Sequence, residues 1–217
     1  MNNSQWSTKS IVNNLIMLNV VMFLIQVIPS SSGFGEQMTH YLGLHSFFSS
    51  DFRLYQLVTY MFLHGGFTHL FFNMFALWMF GRITEYDLGG KRFLIFYMAT
   101  GIGAAVLNLI VNGIEIHAAA AGSMEFYRSV QSITIGASGA VFGILLAFGL
   151  MHPNERIILL IPPIPMKAKY FVIIYGVLEL FLGIRGGDGI AHFAHLGGMI
   201  FAFILLKYWK AKGKIYF

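Results

Sequence analysis

The sequence predicts an all-α polytopic membrane protein, a bundle of six transmembrane helices, and three observations predict it. Hydrophobic residues make up 57% of the chain and charged residues 11%, with a mean hydropathy of +0.69. A soluble domain carries about a quarter charged residues. Apolar runs close to the roughly 20 residues needed to cross a bilayer recur along the chain. No alternating strand pattern appears, which leaves helices as the spanning element. With no cysteine among the 217 residues, disulfide and thiolate chemistry are excluded. The net charge of +5 reads as topology, because no basic patch interleaved with aromatics suggests nucleic acid.

The first candidate span, about 11–28, follows Lys9. A signal peptide has a shorter apolar core, so Ser30-Ser31-Ser32-Gly33 is read as loop and not as a cleavage site. Further spans are expected near 62–81, 92–112, 137–152, 169–185 and 189–207. Between them lie a long first loop (29–61), a basic loop (82–91), a long third loop (113–135), a Pro-rich loop (153–168) and the turn Gly186-Gly187-Asp188-Gly189. This gives an amino-terminal cytoplasmic segment (1–10), a membrane domain (11–207) and a basic cytoplasmic tail (208–217).

Basic residues set the orientation. With both ends inside, the inner set holds Lys9, Arg82, Lys91, Arg92, Arg156, Lys167, Lys169, Lys207, Lys210, Lys212 and Lys214, leaving only Arg53, Arg128 and Arg185 outside. Spans two, four and six then run inward. His69 lies 13 residues above Arg82, Ser138 14 above His152, and His195 12 above Lys207. At about 1.5 Å per residue, all three sit roughly 18–21 Å above the inner boundary. In a hydrocarbon core about 30 Å thick, that is about 10 Å below the outer surface. A hydroxyl and two imidazoles share one depth.

Ser138 stands in Thr134-Ile-Gly136-Ala-Ser138-Gly139-Ala-Val-Phe142-Gly143, where a loop turns into an apolar helix. Free N–H groups at a helix start beside a hydroxyl suit an oxyanion. The same small residues also suit plain helix packing. His69 and Asn73 lie four apart on one face, and polar groups at that depth need a partner or a wet cavity. His64 is expected higher, at a loop or water contact. In Gly189-Ile-Ala-His192-Phe-Ala-His195-Leu-Gly197-Gly198, the small residues let the sixth span pack on the fourth and carry His195 to Ser138. His192, one turn above, is expected to face solvent. No cofactor or metal is expected: His192 and His195 lack zinc-helix spacing and there is no cysteine ligand. No carboxylate presents itself to orient His195, and Glu179, on a span running the other way, is assigned no role. Glu85, Asp87 and Arg82 read as an ion-pair cluster near the inner face.

These residues resemble the rhomboid family of intramembrane serine proteases. The likeness rests on His69-xxx-Asn73, Gly136-x-Ser138-Gly139 and Ala194-His195-xx-Gly198, in the family's order and on its spans. The segments Tyr55–His64 and Pro162–Lys169 also look like bacterial members. The resemblance implies Ser138 as nucleophile, His195 as general base and acid, and an oxyanion hole of His69, Asn73 and the Ser138 N–H. It implies transmembrane protein substrates cut near small residues and helix breakers, and a multi-pass place in a bacterial inner membrane. The glycine content of the Gly186–Gly189 turn suggests lateral entry past the fifth span, with that turn yielding as a cap. Phe142 replaces a tyrosine that stacks on the histidine in many members. Tyr55-Gln56 replaces Trp-Arg in the first loop, and Ala202 replaces a glycine. A small transporter, or an inactive member that holds membrane clients, is the alternative reading. Oligomeric state is open.

Overall fold

The computed structural model describes residues 10–27, 33–158, 164–186 and 191–215. Ser30–Ser32, Pro162-Pro163 and Gly187–Gly189 therefore lie outside the described residues. Helices dominate, and each expected span contains one. In chain order, α1 is Ile11–Val27, α2 Phe34–Leu42 and α3 Gln56–Thr59. The expected second span (62–81) holds α4 (Phe67–Ala76) and a π-helical stretch (Leu77–Gly81), and the helix continues as α5 (Arg82–Leu88) through most of the segment expected to be a basic loop. Then follow α6 (Gly90–Ala118), α7 (Met124–Val130), α8 (Ser138–Met151), α9 (Ala168–Arg185) and α10 (His192–Ala211). Among the described residues only α6 is, by itself, both long and apolar enough to cross a bilayer, while α1 and α8 are apolar but shorter. Helix α10 runs past the end expected for the sixth span, 207, to Ala211, with Trp209 buried and its ring 6.3 Å from that of Phe96.

The expectation of no strands is corrected by two short antiparallel ladders. β1 (Leu44–His45) pairs with β2 (Ile133–Thr134), and β3 (Arg156–Ile158) pairs with β4 (Pro165–Lys167). Strands of two or three residues are too short to show a period of two, yet they satisfy loop backbone groups. The β1–β2 ladder joins the first long loop to the third. Gln56, almost fully buried, anchors the first loop by accepting from the Arg53 N–H at 3.0 Å and donating to the Asp51 carbonyl at 3.0 Å. That glutamine thus fastens the loop in which the family pattern has arginine.

At the centre, α6, α8 and α10 meet with almost nothing between their backbones. A Cβ on Gly198 would fall on the Gly139 carbonyl oxygen, and one on Gly143 would meet Thr100 Cβ at 2.8 Å. One on Gly197 would meet Ala104 Cα at 2.9 Å. Ala202 is fully buried in the same seam. In such close packing the side chains at the top of α8 and α10 have little freedom to drift.

The acidic residues of α5 reach partners on other elements. Glu85 accepts from Ser10 Oγ (2.7 Å) and from the N–H groups of Ile11 (2.7 Å) and Val12 (3.1 Å), capping α1. Free N–H groups and the positive dipole end make a helix start a natural seat for a carboxylate. Asp87 instead meets His152 Nε2 at 2.7 Å.

Candidate active site

Helix α8 begins at Ser138, so the N–H groups of its first turn have no intrahelical acceptor. Ahead of it, Gly136 adopts φ 130°, a backbone angle that favours glycine. Its N–H donates to the Tyr60 carbonyl at 2.9 Å, and the buried Tyr60 hydroxyl donates to the Gly101 carbonyl at 2.7 Å. The loop before the serine is thereby tied to α6.

Ser138 Oγ lies 2.8 Å from His195 Nε2. Both residues sit in the first turns of their helices, which run in the same direction: a Cβ on Gly139 would meet the Ala194 carbonyl oxygen at 3.4 Å and one on Gly143 the Gly198 carbonyl oxygen at 3.1 Å. Phe142, one turn below the serine, stacks flat on the imidazole, with ring centroids 4.2 Å apart and planes 5° off parallel. The ring survives without its hydroxyl.

His69, also near the start of its helix, completes the group. Its Nδ1 accepts from the Gly65 N–H at 3.3 Å, which leaves the ring proton on Nε2. A Cβ on Gly136 would meet that Nε2 at 2.8 Å and Ser138 Oγ at 3.7 Å, so glycine makes room for the ring beside the hydroxyl. Asn73 Nδ2 donates to the His69 carbonyl at 2.9 Å, with one further amide hydrogen to give. The structure therefore brings Ser138, His195 and His69 together, with Asn73 one turn further along α4.

Three expectations need correction. His192 is buried, not solvent-facing, and its Nδ1 lies 2.7 Å from Glu179 Oε2. Glu179 also meets His195: the same Oε2 lies 2.7 Å from its Nδ1, so a carboxylate does reach the imidazole. His64 is 1% exposed, with its ring edge-on to His69 at 5.0 Å and no hydrogen bond to either ring nitrogen.

Glu179, His192 and His195 have ligand atoms within 4.8 Å of one another. Nitrogen and oxygen ligands of a tetrahedral zinc at about 2.0–2.1 Å stand roughly 3.3 Å apart. The 2.7 Å contacts are closer than that and have hydrogen-bond length.

The family model for the rhomboid domain matches residues 51–210. The chain belongs to the rhomboid family. It is accordingly a multi-pass membrane protein, and its helices form a membrane bundle. Among its rhomboid relatives, the putative rhomboid protease YdcA of Bacillus subtilis is 27% identical over 200 residues, covering 90% of this chain and 86% of that one. Rhomboid protease AarA of Providencia stuartii is 29% identical over 202 residues, covering 86% and 67%. The mitochondrial RHOMBOID-like protein 12 of Arabidopsis thaliana is 29% identical over 203 residues, covering 91% of this chain. Some rhomboid relatives are much longer: the chain spans 58% of the Arabidopsis protein and 42% of the mitochondrial Rhomboid protein 1 of Saccharomyces cerevisiae.

Proposed function

We propose that this rhomboid protein is an intramembrane serine endopeptidase that cleaves membrane proteins in or near their transmembrane segments. The observation that carries the reading is the 2.8 Å contact between Ser138 Oγ and His195 Nε2. Ser138 Oγ attacks the scissile carbonyl carbon while His195 Nε2 takes its proton. The carbonyl oxygen becomes an oxyanion that accepts from the Ser138 N–H, His69 Nε2–H and the Asn73 amide. Collapse breaks the C–N bond, and His195 returns the proton to the leaving amine. Water, activated by the same imidazole, then hydrolyses the acyl ester and frees Ser138. No cofactor enters these steps.

The reading carries a topology: six spans, both termini cytoplasmic in a bacterial inner membrane, and a site about 10 Å below the outer surface. Water reaches it from that side. A substrate helix has its carbonyls engaged and must unwind locally to present one. Loosely packed α9 is the side by which a substrate segment enters.

The test uses the full chain reconstituted in vesicles with a panel of single-span proteins. Cleavage of at least one panel member is expected in the wild type, with a loss of about 10³-fold or more in Ser138→Ala and His195→Ala. Undiminished cleavage in either variant would overturn the assignment.

A further inference from the structure

We propose that Glu179 is the positioning residue of this site: its carboxylate fixes the tautomer and orientation of His195 and offsets the charge that ring gains during attack. The proposal rests on the protease reading above, and its ground is hydrogen-bond chemistry. An ionised carboxylate has only acceptors, so with Glu179 charged the two contacts at 2.7 Å make Nδ1 of both His195 and His192 the donors. A neutral imidazole has one ring proton. With it on Nδ1, His195 Nε2 presents a lone pair to the Ser138 hydroxyl 2.8 Å away. The other tautomer would point an N–H at the serine and could not act as base.

The surroundings make the carboxylate effective. Glu179 is 8% exposed and His192 4% exposed. A buried carboxylate is costly unless it is paired, and here two N–H donors converge on one oxygen. The His192 ring stands at 87° to that of His195, so it holds Oε2 from a second direction. When Ser138 loses its proton, the imidazolium that forms faces this carboxylate across a hydrogen bond. The relay Ser138–His195–Glu179–His192 thus joins α8, α10 and α9 in a single chain of side chains.

A packing role alone, tying α9 to α10, predicts something different. Glu179→Gln keeps the volume and an acceptor oxygen, so a merely structural contact would leave cleavage near wild type. The positioning role predicts a loss of about 10²-fold or more in kcat, with KM within about threefold, in protein whose circular dichroism is unchanged. A second readout does not depend on turnover. In ¹⁵N-histidine-labelled full-length protein, the His195 Nδ1–H should resonate downfield of the amide envelope. It should persist in Ser138→Ala and vanish in His195→Ala and Glu179→Gln. If Glu179→Gln fails to fold, that resonance in wild type and Ser138→Ala decides, and its absence overturns the proposal. Wild-type kcat in a folded Glu179→Gln overturns it equally. If the wild type cleaves nothing yet shows the resonance, the protease reading fails and takes the positioning role with it.

Discussion

Two flanks of α10 hold the site in opposite ways. Toward α8 and α6, contact is backbone against backbone: Gly198 rests on the Gly139 carbonyl, Gly197 on Ala104, and nine of the fourteen α8 residues are buried. Toward α9, contact is made by side chains, with Met199 against Gly176 and Phe193 against Gly183, and Glu179 between the two histidines. Only Ala168, Phe171, Val172 and Glu179 of α9 are buried, and its outer face shows Ile173, Val177, Phe181 and Ile184. The difference separates two jobs. The seam fixes the distance between Ser138 and His195, and in the proposed reaction a shift of about 1 Å there would cost about 10²-fold in rate. The α9 flank supplies the carboxylate, through side-chain contacts alone.

The sharpest way to break this contrast is to wedge the seam. Gly198→Ala sets a methyl group on a carbonyl oxygen, so α8 and α10 must part. The expected result is a loss of about 3 kcal/mol of stability and of 10²-fold or more in cleavage, read by thermal denaturation and substrate assay. A variant as stable and active as wild type would show that the seam is not the positioning device. Removing the stacked ring is milder. Phe142→Leu should lower kcat about fivefold, roughly 1 kcal/mol of aromatic contact, while Phe142→Tyr stays near wild type.

Away from both flanks, Glu85→Gln should cost about 1–2 kcal/mol of stability by weakening the α1 cap, with cleavage by the folded protein unchanged. The smallest effect belongs to the outer face of α9. Ile184 is 75% exposed, and Ile184→Ala should shift stability by less than about 0.5 kcal/mol and leave kcat alone. A large loss there would mean that α9 packs against something on its outer face.

Much of the site was legible because its residues repeat at helical spacing or stand at matched depth. His69 and Asn73 are one turn apart, and Ser138 and His195 fall level on spans that run the same way. Phe142 is one turn beyond the serine. Glu179 escaped because it is a lone carboxylate between Leu178 and Leu180 on a helix running the other way, with its partners 13 and 16 residues downstream. The signal was nevertheless present: Glu179 lies 12 residues beyond Lys167, about 18 Å up at 1.5 Å per residue, level with His195. An ionisable residue at such depth calls for a named partner. The burial of His192 follows from the same carboxylate, which its Nδ1 meets at 2.7 Å. The two strand ladders were beyond the reach of periodicity, because segments this short carry no pattern.

The central claim is that a hydroxyl and an imidazole on separate helices act as one reactive pair within a membrane bundle. Peptide mapping of the detergent-solubilised protein after a fluorophosphonate probe tests it most directly. The account predicts a single adduct on Ser138 that disappears in His195→Ala. An unlabelled Ser138, or labelling that persists without His195, would contradict it.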